Sequence, residues 1–305
     1  VGTFGIPEFG TKFVRGMLLD TLPMSFSDLL CISGLSHGTD VWLGNAKELI
    51  DSGVITSISD AVCCRDDIMV YLIKMGLPKN TSFKIMETVR KGKALKDPEK
   101  WAEYEDLMRE NNVPEWYIDS CKKIKYMFPK AHAAAYVMMA FRIAWFKVHI
   151  PMAYYAAYFS IRAKAFDAEF MIFGKEKVKE KMQEINKQGN EAAPKDKDMY
   201  DDLEIVLEMY ERGFKFLPMD LYKSDANKFK VEDDGLRPPL NSISGMGNVA
   251  AEAIFKAVHE DIPISSIDNL KKRARIGNSA VELLKKFDCL RGLPESDQVS
   301  FFDMI

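Results

Sequence analysis

Two basic side chains and one aromatic ring lie at helical spacing in residues 128–136 of this 305-residue chain. Pro129 suits the first turn of a helix, and the free N–H groups at a helix amino end attract anions. Lys130 and His132 add basic groups at that end, and Tyr136 follows His132 by one turn on the same face. The three alanines between them leave that face bare. The combination predicts a site that holds a nucleoside triphosphate by phosphates and base. The alternative is an ordinary alanine-rich buried helix.

This segment and several others resemble one protein family. Residues 128–136 and 154–159 are similar to the fingers domain of the bacterial DNA polymerase III alpha subunits, and most similar to the PolC type. Further similar blocks lie at residues 2–10, 33–42 and 89–93. The resemblance covers nearly the whole chain and implies a C-terminal portion of such a polymerase, which agrees with a first residue other than methionine. The family's palm, thumb, polymerase-and-histidinol-phosphatase domain and exonuclease would lie upstream.

The resemblance also implies roles for residues of this sequence. Arg90, Lys91 and His132 would meet the triphosphate of an incoming dNTP, with Lys130 beside it, and would neutralise charge on the leaving pyrophosphate. Tyr136 would stack on the base. The rest of the pocket would be formed by Phe128, Ser36, His37 and Gly38. The implied reaction is template-directed nucleotidyl transfer to a DNA primer, with Mg²⁺ held by the upstream palm.

No carboxylate pair in the chain has the setting of a two-metal polymerase site. Asp196 and Asp198 have a suitable spacing, but charged residues rather than a β-strand surround them. We therefore predict no catalytic residue and no metal ligand here, and expect the fragment alone to be inactive. The five cysteines form no C-x-x-C pair and the four histidines are scattered. This pattern disfavours zinc and disulfides and fits a reducing cytoplasm, which for this family means a nucleoid-associated bacterial protein.

Composition limits where nucleic acid could bind. The chain is 47% hydrophobic and 29% charged with a net charge of −3, so any basic surface must be local. Lysine-rich clusters at residues 122–125 and 271–275 are either such surfaces or solvated helix faces. The apolar stretch 131–161 predicts a buried helix pair with a break at Pro151 rather than a membrane span. Its interruptions are Arg142, Lys147, His149 and Pro151.

Residues 240–254 resemble a helix-hairpin-helix element. Gly245 and Gly247 flank Met246, and a helix rich in alanine follows from Asn248. Two glycines permit a tight turn that exposes backbone N–H groups at a helix amino end, and such groups bind a DNA phosphate without reading sequence. The alternative is a plain glycine turn between helices. A second, degenerate hairpin is predicted at residues 276–278.

The last residues carry a candidate partner-binding peptide. Residues 298–302 are similar to the Gln-x-Ser-Leu-Phe peptide with which bacterial polymerases bind the sliding clamp, through Gln298, Ser300, Phe301 and Phe302. Phe301 departs from that pattern, in which leucine is usual. Large apolar anchors on a polar tail suggest a pocket on a partner. The alternative is a tail that folds back on its own domain.

These observations predict a mainly α chain: a helical fingers domain (residues 1–161), a small α+β duplex-binding domain containing the hairpin (162–294) and a flexible clamp-binding tail (295–305). Short strands at 214–217 and 228–231 are predicted to pair. The predicted function is that of a replicative DNA polymerase fragment that binds dNTP, primer-template DNA, the sliding clamp and the remaining polymerase domains. The alternatives are a non-catalytic DNA-binding adaptor of repair or recombination, which needs no nucleotide pocket, and a purely structural interaction protein.

Overall fold

The structure, a computed structural model, describes residues 1–297, which form fifteen α-helices and one two-stranded sheet. The predicted mainly α fold class is confirmed. The helices that begin before residue 145 are α1 (Lys12–Thr21), α2 (Phe26–His37), α3 (Lys47–Asp51), α4 (Arg65–Lys74), α5 (Lys79–Arg90), α6 (Pro98–Glu110), α7 (Glu115–Lys123) and α8 (Lys130–His149). The later helices are α9 (Pro151–Ile161), α10 (Ala168–Met171), α11 (Lys175–Gln188), α12 (Pro194–Glu211), α13 (Asn248–Val258), α14 (Ile267–Ala274) and α15 (Asn278–Lys286).

The chain divides into two compact units. The first is Val1–Ala144 and the second begins at Trp145, so the division falls within α8. The predicted domain boundary lies after residue 161, and it stays a prediction.

In the first unit, α4 packs against α5. Ile68 and Leu72 of α4 are fully buried, as are Ile85 and Val89 of α5. In each helix the two residues are four positions apart and therefore share one face, which is the pattern of an amphipathic helix. This packing fixes the start of α4 and the end of α5, both of which reach the candidate site.

The second unit contains two apolar clusters. The ring of Phe159 in α9 lies 5.3 to 5.6 Å from the rings of Phe166, Phe216 and Phe229. The other cluster joins α13, α14 and α15 through buried aliphatic side chains. These clusters hold α9 and the predicted hairpin within one packed unit.

The sheet differs from its predicted pairing. β1 (Lys230–Glu232) pairs antiparallel with β2 (Gly235–Arg237), with Val231 opposite Leu236. Residues 214–217 contribute only an isolated parallel bridge from Phe216 to Leu236. The prediction of paired strands at 214–217 and 228–231 is therefore wrong, because a two-residue turn lets β1 pair with β2 directly and residue 216 lies at the other edge of β2.

The predicted break in the apolar stretch is confirmed, but the predicted burial is wrong for much of α8, where Phe141, Trp145 and Phe146 are about half exposed. α8 ends at His149, and Pro151 occupies the first position of α9, where its missing N–H costs no hydrogen bond. Between residues 1 and 297 we find no helix that combines the length and the apolar character needed to cross a bilayer.

Candidate nucleotide and DNA interfaces

The site in the first unit is assembled around residues 124–129, which connect α7 to α8. The backbone N–H of Thr39 donates to the carbonyl of Tyr126 at 2.9 Å, and the N–H of Met127 donates to the carbonyl of Arg90 at 3.4 Å. The connection therefore lies between the segment that follows α2 and the carboxyl end of α5. It brings three stretches of predicted site residues to one place.

Four rings contact one another in a row at this junction, with the outer pairs tilted and the central pair, Phe128 and His132, edge to face. His37 lies 5.0 Å from Phe128, Phe128 lies 5.3 Å from His132, and His132 lies 4.7 Å from Tyr136, measured between ring centroids. The predicted one-turn relation of His132 to Tyr136 on α8 is present, and Tyr136 remains 37% exposed. The ring of Tyr136, at the end of this row, is therefore accessible to a flat ligand. Because His37 is the last residue of α2, its contact with Phe128 joins α2 to this face of α8.

Two basic residues of this site, Lys130 and His37, already have carboxylate partners. At the amino end of α8, the N–H of Lys130 donates to Asp66 Oδ2 at 2.8 Å, and Lys130 Nζ lies 2.7 Å from Asp67 Oδ1. His37 Nε2 lies 2.9 Å from Glu8 Oε2. The N–H group and the cation at this helix end are thus bound by carboxylates of the same chain, and phosphate binding there stays a prediction.

Arg90 and Lys91 share one partner. Glu87 accepts hydrogen bonds from the Arg90 guanidinium, one of them at 3.0 Å from Nη2, and its Oε2 lies 2.6 Å from Lys91 Nζ. These contacts lower the pKa of Glu87 to about 2, the Arg90 hydrogen bond being the largest cause. The carboxylate stays ionised at neutral pH and holds the two cations together at the end of α5.

Sequence reasoning identified the basic and aromatic residues and missed their acidic partners. Glu8, Asp66, Asp67 and Glu87 were not among the predicted site residues. The signal that was available is the pair of acidic residues in the first turn of α4, a usual place for carboxylates. Their approach to α8, more than 60 positions along the chain, depends on tertiary packing.

The hairpin in the second unit has the backbone that the glycine pattern predicts. Gly245 has φ of +89°, a left-handed conformation that favours glycine, while Met246 between the glycines is buried. Gly247 is the N-cap residue of α13, and no side chain caps that helix end within the described residues. The N–H groups of the first turn of α13, which begins at Asn248, therefore form an open amino end of the kind that binds phosphate.

The predicted second hairpin repeats this geometry. Arg275 has φ of +54°, Ile276 is buried, and Gly277 is the N-cap residue of α15. Asn278 then begins the helix as Asn248 begins α13. The left-handed residue, the buried apolar residue, the glycine and the asparagine follow in the same order in both turns.

The other predicted features fall outside these two sites. Asp196 and Asp198 lie in the first two turns of α12, so their context is helical. Among residues 1–297, His, Cys, Asp and Glu side chains form no group of three or more that could hold a metal ion. The predicted clamp-binding residues Gln298, Ser300, Phe301 and Phe302 lie outside the described residues.

Comparisons with known proteins agree with both parts. Residues 1–112 match the model of the bacterial DNA polymerase III alpha subunit finger domain, and residues 213–299 match that of a helix-hairpin-helix motif. The chain is 54% identical over 302 residues to the PolC-type DNA polymerase III of Clostridium perfringens and 54% identical over 301 residues to that of Bacillus subtilis. It is 50% identical over 303 residues to that of Thermotoga petrophila.

Each of these matches covers 99% of this chain and 20 to 22% of the relative, so the chain spans about a fifth of the length of the curated relatives it matches. The family resemblance predicted from the motifs is confirmed over nearly all of the chain. The chain belongs to the PolC-type bacterial DNA polymerase III family and contains its finger and helix-hairpin-helix parts.

Proposed function

We propose that the full-length protein is a replicative DNA polymerase and that this chain supplies its binding surfaces for the incoming dNTP, the primer-template duplex and the sliding clamp. The observation that carries the proposal is the row of four ring contacts that ends with His132 and Tyr136 on α8, together with the cations at the end of α5 and the start of α8. The identity of about half of all positions with polymerases, across 99% of the chain, supports it. The alternative function, a DNA-binding adaptor of repair or recombination, does not explain the match to a polymerase finger domain.

In the nucleotide site, Tyr136 stacks on the base and the amino end of α8 receives the triphosphate. Lys130 and His132 lie at that end, while Arg90 and Lys91 reach it from α5. The pocket wall is formed by Phe128, Ser36 and His37. Because Asp66 and Asp67 now hold Lys130, phosphate binding exchanges those carboxylates for phosphate oxygens. Fixed positive charge at this place stabilises the charge that develops on the leaving pyrophosphate.

At the hairpin, the open amino end of α13 holds a backbone phosphate of the duplex through the N–H groups that follow Met246, with Asn248 at the first helical position. Gly245 and Met246 shape the turn, since the Met246 N–H donates to the carbonyl of Ile243 at 2.9 Å. Such contacts fix the position of the protein on DNA without reading its sequence. The tail, residues 298–302, binds the sliding clamp.

Catalysis belongs to the remaining part of the full protein. The described residues do not fit a magnesium site, since they offer no group of three or more His, Cys, Asp or Glu side chains placed to hold a metal ion. The palm, together with the thumb, is proposed to hold Mg²⁺ and to join this chain in the complete enzyme, and the chain alone is proposed to be inactive. The proposed location is the bacterial cytoplasm at the nucleoid.

The test of this function replaces Tyr136, the last ring of the row. In a full-length polymerase carrying this sequence, we expect Tyr136→Ala to weaken dNTP binding by about 5- to 150-fold, because stacking of a base on an aromatic ring contributes about 1–3 kcal/mol. Binding of primer-template should stay nearly unchanged. Tyr222→Ala is the matched control, since Tyr222 is also exposed but lies in the second unit. An equal loss of dNTP and DNA binding, or an equal effect of Tyr222→Ala, contradicts the stacking role.

A further inference from the structure

A groove of about 580 Å³ lies beside the hairpin in the second unit. One wall is the carboxyl-terminal half of α9, and the other is formed by residues around β1 and by both sides of the hairpin turn. Its lining residues are Ala156, Ala157, Ser160, Ile161, Asn227, Lys228, Phe229, Asn241 and Asn248. The groove thus reaches the first residue of α13, at which the hairpin ends.

The lining has an unusual chemical composition. It holds three side-chain amides and one cation, Lys228, and no carboxylate. Amides donate and accept hydrogen bonds without charge. The α9 wall consists of three small side chains and Ile161, and the opposite wall includes Phe229, so apolar surface lies beside the amides. A single cation cannot neutralise a triphosphate, whereas this mixture suits a ligand with apolar C–H faces and one phosphate per repeat.

The amides are held in place by neighbours in the hairpin. Asn241 Nδ2 donates to Asn248 Oδ1 at 3.0 Å, and Asn227 Nδ2 donates to Glu252 Oε1 of α13 at 3.4 Å. Asn248 therefore belongs to both the groove and the open amino end of α13. A strand whose phosphate lies on that helix end would pass directly into the groove.

We propose that this groove holds a deoxyribose-phosphate stretch of the DNA strand whose neighbouring phosphate binds the hairpin. The inference rests on the proposed DNA binding by the hairpin and extends it along the strand. Sugars pack their C–H faces against Ala156, Ala157 and Phe229, and the amides hydrogen-bond to sugar and phosphate oxygens. Lys228 meets one phosphate.

The test measures binding of a duplex oligonucleotide to the 305-residue chain across a series of salt concentrations. Asn227→Ala combined with Asn241→Ala should weaken binding by about 5- to 30-fold with an unchanged salt dependence, because neutral groups release no counterions. Lys228→Ala should reduce the slope of log K against log salt by about 1. The controls are Asn186→Ala and Lys187→Ala, which remove an exposed amide and an exposed cation from α11.

A second variant distinguishes a loss of DNA binding from a loss of folding. Ala157 is exposed, so Ala157→Trp fills the groove without removing a contact and should also weaken binding at least fivefold while the thermal unfolding midpoint is kept. Gly247→Val tests the hairpin itself, since a side chain there has open space in the protein but blocks a phosphate. Loss of binding in Gly247→Val with unchanged binding in the asparagine pair and in Ala157→Trp overturns the groove inference and leaves the hairpin function standing. No duplex binding by the unaltered chain, or full binding by Gly247→Val, overturns both.

Discussion

At the scale of single residues, we expect Asp66 to limit how readily the amino end of α8 accepts an anion. Its carboxylate accepts the N–H of Lys130 at 2.8 Å and occupies the position proposed for phosphate. Asp66→Asn retains an oxygen acceptor but removes the negative charge. One charge about 4 Å from another in water contributes about 1 kcal/mol. We therefore expect Asp66→Asn to tighten triphosphate binding by about fivefold, as measured by nucleotide titration of the full-length polymerase.

The control for this change is Asp106→Asn, which removes an exposed carboxylate of α6 that lies 3.4 Å from Arg109. It should leave the nucleotide affinity unaltered. The loss of a carboxylate at the start of α8 should lower the thermal stability slightly, because acidic groups stabilise helix amino ends. Weaker nucleotide binding by Asp66→Asn would mean that the carboxylate supports the site instead of competing for it.

Asp202, a second single residue, makes the stability of the second unit depend on pH. Its Oδ2 accepts the N–H groups of Lys164 and Ala165 at 3.0 and 2.8 Å, and burial raises its pKa to about 6. Since the folded state binds this proton more tightly than the unfolded chain, the contribution of protonated Asp202 to stability is full below pH 4. It is lost as the pH rises from about 4 to about 6.

Asp202→Asn keeps an acceptor for both N–H groups and has no proton to lose. The unfolding free energy of this variant relative to the unaltered chain should therefore increase between pH 4 and pH 7, by at most about 3 kcal/mol. Chemical denaturation at several pH values measures this difference. A difference that stays constant over that range would show that Asp202 does not titrate there.

At the scale of elements, the position of α2 depends on the absence of a side chain at Gly34. A Cβ atom at this position would lie 2.4 Å from the carbonyl oxygen of Cys63 and 2.6 Å from Cys64 Sγ. Backbone cannot move aside cheaply, so Gly34→Ala should lower the unfolding free energy by about 1–3 kcal/mol. It should also displace the segment that leads into α4, which carries Asp66 and Asp67.

Gly16 in α1 is the matched control for this substitution. A Cβ atom there meets nothing within 4 Å, so Gly16→Ala should stabilise the chain by up to about 1 kcal/mol through helix propensity. Thermal or denaturant unfolding of both variants distinguishes the two signs. If Gly34→Ala is as stable as Gly16→Ala, the contact between α2 and residues 63–64 is not close in solution.

At the scale of the whole molecule, residues 298–302 are proposed to connect the polymerase to the sliding clamp. Burial of one phenylalanine contributes about 1.5–3 kcal/mol, and micromolar affinity corresponds to about 8 kcal/mol. Two such anchors with hydrogen bonds from Gln298 approach that value. Phe302→Ala or Gln298→Ala should therefore abolish clamp binding, whereas Phe301→Leu should preserve or tighten it, and duplex binding at the hairpin should not change. A tail peptide that shows no saturable binding to the clamp at high micromolar concentration would favour the fold-back alternative.

The sequence by itself determined the local parts of this protein. The face shared by His132 and Tyr136, the break at Pro151 and the turn at Gly245–Gly247 could be predicted, because helical period and glycine geometry act over a few residues. Alternation within one strand does not identify the strand with which it pairs. The partner of Lys230–Glu232 was therefore predicted wrongly.

Only the tertiary structure decided which groups meet. The approach of His37 to Phe128, the hold of Asp66 and Asp67 on Lys130, and the groove between α9 and the hairpin join residues that are distant in the chain. Such contacts depend on how buried faces pack together, and no local spacing encodes them. The sequence therefore determined which residues could bind nucleotide and DNA, and packing decided which partners hold them, because contact between distant residues is a property of the core.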